Sequence, residues 1–161
     1  MSKVDAMSTV KPKPRKITGP GATAGVAAIE FALLAPLLIL LLIAIIEIGL
    51  ASYQAMEVQN AAEAGALYAV RHGFDQEGIE TAIDNATNLS GLISDPEPTS
   101  FCGCPEMDGV NAIGCDFVCP SGDAPGEYVK IHTSFEHETI LPYPWMSSPV
   151  VLTGEATVRL K

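Results

Sequence analysis

One long apolar stretch near the N-terminus constrains this chain more than any other feature of its 161 residues. Between Phe31 and Ile46 there is no charged side chain and no side-chain amide, and the mostly apolar run continues to Ala51. A helix needs roughly 20 apolar residues to cross the hydrocarbon core of a bilayer, where its backbone groups must bond to one another. The stretch therefore predicts a single membrane-spanning helix over residues 26–51.

Charged residues are distributed unequally on the two sides of this stretch. Residues 1–25 contain five lysines and arginines against one aspartate, whereas residues 52–161 contain sixteen acidic residues against four basic ones. Short basic flanks stay in the cytoplasm. We therefore expect a single-pass protein of the inner membrane with a cytoplasmic N-terminus and a periplasmic C-terminal domain. The acidic domain argues against nucleic-acid binding, which requires a basic surface.

Two glutamates, Glu30 and Glu47, lie within or at the ends of the apolar run. An ionised carboxylate inside hydrocarbon costs about 3 kcal/mol or more, so such residues tend to mark a function or a partner. Glu47 adjoins the more polar residues that follow the run, and reaching the outer interface explains it as well as any function. The residues that precede Glu30 argue for a specific role of that glutamate.

Those preceding residues have the composition of a processing site. A basic leader with several prolines and glycines, which we expect to be unfolded, ends in the small residues Gly21-Ala22-Thr23-Ala24-Gly25. Cleavage after Gly25 would leave Val26 as the new N-terminus. Glu30 would then be the fifth residue of the mature chain and Phe31 the sixth.

This order of features resembles the type IV prepilins. More narrowly, GVAAIEFALLAPLLILLLIAIIEIG, with its Glu-Phe pair, interior Pro36 and closing Ile-Glu-Ile-Gly, resembles the TadE-like pseudopilins or minor pilins of tight-adherence (Flp-type) pili. The resemblance covers roughly residues 20–72. It implies cleavage by a prepilin peptidase between Gly25 and Val26 and assembly through Glu30 and Phe31. The implied partners are that peptidase, other pilins and pseudopilins, the pilus assembly platform and the lipid bilayer, and the implied role is in cell adhesion and biofilm formation.

Beyond the membrane the helix is expected to continue, because residues 52–72 are rich in alanine and contain no proline. We predict one helix from about Val26 to His72, interrupted only at Pro36, where a lost hydrogen bond should bend it. A stripe of small residues recurs at helical spacing: Ala55, Val58, Ala62, Gly65 and Ala69. Such a stripe allows close packing, and both the protein's own domain and a neighbouring subunit would suit it.

Residues 73–161 predict a small α+β domain. Gln76–Leu89 is an amphipathic helix, and residues 90–100 form a loop. Tyr128–Phe135 and Leu152–Leu160 alternate as half-buried strands, joined by the proline-rich loop ILPYPWMSSP. The predicted fold is therefore α+β: a leader over 1–25, a membrane helix over 26–51, its extension over 52–72, then a short helix and a small antiparallel β domain with disulfides over 73–161.

The cysteines form two close clusters: Cys102 with Cys104, and Cys115 with Cys119. An even count in an oxidising compartment indicates two disulfides. We favour pairing between the clusters, because a bond within Cys-x-Cys closes a strained ring. A four-cysteine zinc site is the alternative. The tight-adherence family often carries a similar cysteine block before a strand like Tyr128–Ile131, which extends the resemblance.

No sequence motif of an enzyme, cofactor site or metal site is found. The P-loop, His-Glu-x-x-His and Gly-x-Ser-x-Gly patterns are absent. The three histidines are scattered, and His132 and His137 are expected at the solvated surface. Two functional hypotheses remain. The first is a minor pilin, located in the inner membrane or incorporated in the pilus, and the second is an uncleaved membrane-anchored periplasmic domain with a binding or metal role at its cysteines.

Overall fold

A computed structural model describes residues 21–142 and 148–160. Residues 1–20 of the predicted leader and residues 143–147 of the predicted loop lie outside the described residues. The elements follow in the order α1 (Gly21–His72), α2 (Gln76–Ala86), β1 (Thr99–Glu106), β2 (Gly109–Ala112), β3 (Gly126–His137) and β4 (Val150–Arg159). The chain divides into two compact units between Leu41 and Leu42. These elements confirm the predicted α+β class.

Helix α1 is longer than predicted at its N-terminal end. It begins at Gly21 rather than near Val26, because the alanines and threonine after Pro20 do not oppose a helix. It also runs through Pro36 without a break, so the missing N–H donor does not end the helix. The helix ends as predicted, since Gly73 adopts φ +85° and its N–H donates to Ala69 O at 2.9 Å.

The second unit contains a four-stranded antiparallel sheet in the order β2-β1-β3-β4. Strands β3 and β4 pair over ten residues, with Ile131 opposite Ala156, and they include both strands that the sequence predicts. Strands β1 and β2 were not predicted. Glycine, cysteine and proline interrupt the alternation of polar and apolar residues in that segment, so pairing with β3 rather than local pattern defines β1.

The small-residue stripe of α1 packs on the protein's own sheet and on α2. Val58, Ala62 and Ala69 are fully buried. A Cβ added to Gly65 would lie 2.8 Å from Ile83 Cγ1 and 3.2 Å from Ile131 Cδ1, so the helix and the core side chains meet closely only because this residue is glycine. Of the two packing partners that the sequence left open, the protein's own domain is therefore the one that contacts the stripe.

A second close approach joins α1 to the edge strand β4. A Cβ on Gly154 would lie 2.8 Å from Val58 O and 3.0 Å from Gln59 Cα. Thr133 lies beside this contact and donates its hydroxyl to Val58 O at 2.9 Å. Gln59 also bonds the backbone N–H and C=O of Glu155, at 3.3 and 3.2 Å. The helix therefore covers part of the edge that β4 would otherwise expose.

Candidate functional site

The N-terminal part of α1 presents an apolar surface with no packing partner among the described residues. Its large apolar side chains from Val26 to Leu42 are each between 53% and 76% exposed. Exposed apolar area of this extent marks contact with a membrane or with other protein chains. Among the described residues, α1 is the one helix long and apolar enough to cross a membrane. The predicted membrane anchor is thus structurally feasible, and its orientation remains a prediction.

The predicted processing and assembly residues all lie on this exposed helix. Gly25 and Val26 are in its second turn, and nothing within 4 Å would contact a Cβ added at Gly25. Glu30 is exposed, four residues after Val26, and residues at this spacing lie on the same helix face. Phe31 follows at 67% exposure. Cleavage, assembly and a bend at Pro36 stay predictions.

Glu47, in contrast, is buried in a polar network with the end of β3. Its Oε1 lies 2.9 Å from His137 Nε2, and both side chains are at most 7% exposed. Its Oε2 accepts a hydrogen bond from the backbone N–H of Ile140 at 2.9 Å. The other ring nitrogen of His137, Nδ1, lies 2.5 Å from Gln54 Oε1. Both ring nitrogens of His137 thus lie within hydrogen-bonding distance of side chains on α1.

This network corrects two sequence-based expectations. Glu47 does not extend to an interface, and His137 is not a solvated residue, since each is about 95% buried. The burial of both residues could have been predicted by extending two patterns that the sequence analysis had already identified. Continuing the helical stripe backwards from Val58 by three to four residues at a time reaches Gln54 and Glu47, and continuing the alternation of β3 beyond Phe135 reaches His137. The sequence analysis left Glu47 and His137 out of the predicted core because polar side chains are usually exposed.

Both disulfides join the two cysteine clusters, as predicted. Cys102 bonds Cys115, and Cys104 bonds Cys119, with Cα–Cα distances of 5.2 and 5.6 Å. These bonds tie β1 to the irregular segment before β3. Because β1 pairs with the first half of β3, the disulfides lie at the end of the sheet opposite His137. All four sulfur atoms are used in these bonds.

Other polar contacts lie at the surface of the second unit. Lys130 Nζ lies 2.9 Å from Glu155 Oε1, and this hydrogen bond, despite some opposing desolvation, holds the pKa of Glu155 below its ordinary value. His132 lies 3.5 Å from the same carboxylate and is partly exposed, so the expected surface position holds for this histidine. Tyr68 donates to Asp75 Oδ2 at 3.1 Å, and this bond raises the pKa of Tyr68. These contacts stabilise neighbouring elements.

A comparison with protein-family models identifies the N-terminal segment. The model described as "TadE-like protein" matches residues 25–67, which confirms the resemblance inferred from the sequence. Comparisons with curated proteins and with solved structures returned no match. The TadE-like family is structural rather than enzymatic and is associated with minor pilins and with other pilus components. Residues 25–67 of this chain, from the predicted cleavage site through most of α1, are therefore similar to the TadE-like family.

Proposed function

We propose that this protein is a minor pilin or pseudopilin, required for assembly of a tight-adherence pilus and packed there through its N-terminal helix. One observation carries the proposal: the TadE-like segment coincides with a helix whose apolar side chains are exposed from Val26 onward. Such a surface serves first as a membrane anchor and then as the packing surface against other pilin helices. In this proposal residues 52–161, which include the sheet, lie on the periplasmic side.

Cleavage by a prepilin peptidase after Gly25 prepares the helix for assembly. The scissile bond lies inside α1, so the peptidase must unwind the first turns to reach an extended backbone. Glycine makes that unwinding easier, because it is about 1 kcal/mol less favourable in a helix than alanine. Cleavage also removes the basic leader and creates a charged amine at Val26.

The new amine gives Glu30 a partner. Val26 and Glu30 lie one helical turn apart, and no ion pair to Glu30 is formed among the described residues. When the helix moves from the membrane edge into an assembly, both charges enter a region of lower dielectric, where an unpaired charge is costly. Pairing within one helix, or with the next subunit, offsets that cost and favours a defined register between subunits.

Processing is tested by the intact mass of membrane-extracted protein, with and without co-expressed prepilin peptidase. We expect a chain that begins at Val26 only when the peptidase is active, and that Gly25→Leu blocks the cut. Gly49→Leu is the matched control, because both glycines are helical with no atom within 4 Å of an added Cβ. A chain that keeps its leader beside active peptidase would favour the uncleaved, membrane-anchored domain instead.

Assembly is tested by comparing Glu30→Gln with Glu63→Gln at matched membrane levels. Glu63 is exposed on the same helix, where its Oε1 accepts a 3.2 Å hydrogen bond from the Gln59 amide. Loss of one partner from a buried pair costs about 3–5 kcal/mol, against about 0–1 kcal/mol at the surface. We expect Glu30→Gln to insert normally but to reduce pilus incorporation severely. Equal incorporation of the two variants would contradict the role of Glu30. Glu47 is unsuitable as a control, because it is buried against His137.

A further inference from the structure

The first residues of the connection between β3 and β4 are held against α1 at the level of Glu47. Ile140 donates its backbone N–H to Glu47 Oε2 at 2.9 Å, and His137 bonds the other oxygen of the same carboxylate. Glu47 lies four residues before the end of the predicted membrane segment at Ala51, which is about 6 Å along a helix. Ile140 is therefore level with a helical turn inside the apolar run rather than with the helix beyond it.

The side chains around this point form an exposed apolar patch. Ile140 is 52% exposed, Val151 56% and Leu50 44%. The three line one groove of about 850 Å³, whose lining also includes the acidic residues Asp95, Glu136 and Glu138. On α1 itself the adjacent side chain of Ile48 is 67% exposed. The apolar surface of the helix thus continues onto the sheet domain within the second unit, at the level that Glu47 defines.

We propose that the residues around Ile140 enter the outer interfacial layer of the same bilayer that the helix crosses, so that the domain contacts lipid at a second point. This inference rests on the proposed insertion of residues 26–51. Lipid is the favoured occupant because the patch is continuous with the surface already assigned to the membrane and lies at the same height. The second contact restricts rotation of the domain about the helix axis.

Acidic residues limit the depth of this contact. Glu136, near the end of β3, and Glu138, at the start of the connection, are exposed and require water. Ile140 is two residues beyond Glu138, and interfacial segments enter only roughly 5–10 Å into the boundary between headgroups and acyl chains. We therefore expect contact with the interfacial layer and no penetration to the bilayer centre.

The test uses the full chain in phosphatidylcholine vesicles that contain lipids with a nitroxide near the headgroup. A single cysteine is introduced at Ile140, Ile45 or Met107 and carries an environment-sensitive fluorophore, since the four native cysteines are bonded to each other. Ile45 reports insertion of the helix. Met107 is the aqueous control: it is fully exposed in the β1–β2 turn, beyond the opposite end of the twelve-residue strand β3, roughly 36 Å away.

We expect nitroxide quenching at Ile140 to be several-fold stronger than at Met107 and comparable with that at Ile45. Quenching at Ile45 with none at Ile140 would overturn the second contact and leave the proposed membrane anchor intact. No quenching at Ile45 would overturn the anchor and this inference together. An emission shift at Ile140 without quenching would indicate a neighbouring subunit as the occupant and would also overturn the lipid contact.

A second label position makes the result independent of one substitution. Val151 lines the same groove from β4 and is also more than half exposed, so Val151→Cys should be quenched like Ile140→Cys. Correct folding is checked by an intact mass that retains both native disulfides. If both labelled positions behave like Met107 in correctly folded protein, the proposal is wrong.

Discussion

The buried pair of Glu47 and His137 should stabilise the second unit strongly. Glu47→Ala leaves the His137 ring buried beside Gln54 without its carboxylate, and removing one partner of a buried ion pair costs about 3–5 kcal/mol. Loss of the acceptor for Ile140 N–H adds little, because water can reach that half-exposed residue. We expect Glu47→Gln to cost less, about 1–3 kcal/mol, since an amide oxygen can still accept one of the two bonds.

Amide hydrogen exchange of β3 and β4 measures this loss without unfolding the membrane helix. The full chain is placed in detergent micelles, and the opening free energy of each protected amide is compared between variants. A loss of 3–5 kcal/mol corresponds to a fall in protection of roughly 10²-fold to more than 10³-fold. Glu63→Ala is the matched control, because that glutamate is exposed on the same helix, and it should change protection by less than about tenfold.

A double-variant cycle separates the ion pair from simple loss of packing. Replacing the pair by apolar residues of similar size, with Glu47→Met and His137→Leu together, should recover at least about 2 kcal/mol relative to the sum of the single changes. The reasoning would be refuted if the single changes cost less than about 1 kcal/mol and were additive. Glu47 would then behave as a residue that reaches the outer interface, one of the two explanations that the sequence left open.

Three further predictions follow from contacts in the second unit. Gly154→Ala should destabilise the domain by about 1–3 kcal/mol in thermal unfolding, because its Cβ would meet helix backbone at 2.8 Å; an unchanged midpoint would contradict this. Replacing both Cys102 and Cys115 should lower the free energy of unfolding by about 3 kcal/mol and leave one disulfide by mass. Free thiols in this double variant, in the absence of added reductant, would contradict the pairing. Lys130→Met should raise the pKa of Glu155, measured by NMR titration. Since a lowered carboxyl pKa stabilises the fold above about pH 4.3, this modest contribution is lost as acid protonates Glu155.

Sequence patterns predicted secondary structure best where the pattern lies within a single helix or strand. The apolar run predicted α1, and the alternation of residues 128–135 and 152–160 predicted most of β3 and β4. Helix α2 begins at the predicted Gln76 but ends at Ala86 rather than Leu89, since Thr87 is already extended. The cysteine count and the strain of a Cys-x-Cys ring predicted cross-pairing but not which sulfur bonds which.

The sequence by itself determined the apolar helix, its TadE-like character and the class of the fold, because hydrophobic length, charge asymmetry and periodicity act locally along the chain. Tertiary structure alone decided how Glu47 and Gln54 meet His137, which lies 90 residues after Glu47. A buried charge is stable only with a partner, and the partner comes from another element. The environment of Glu47 therefore depends on how α1 and β3 pack, which neither segment encodes by itself.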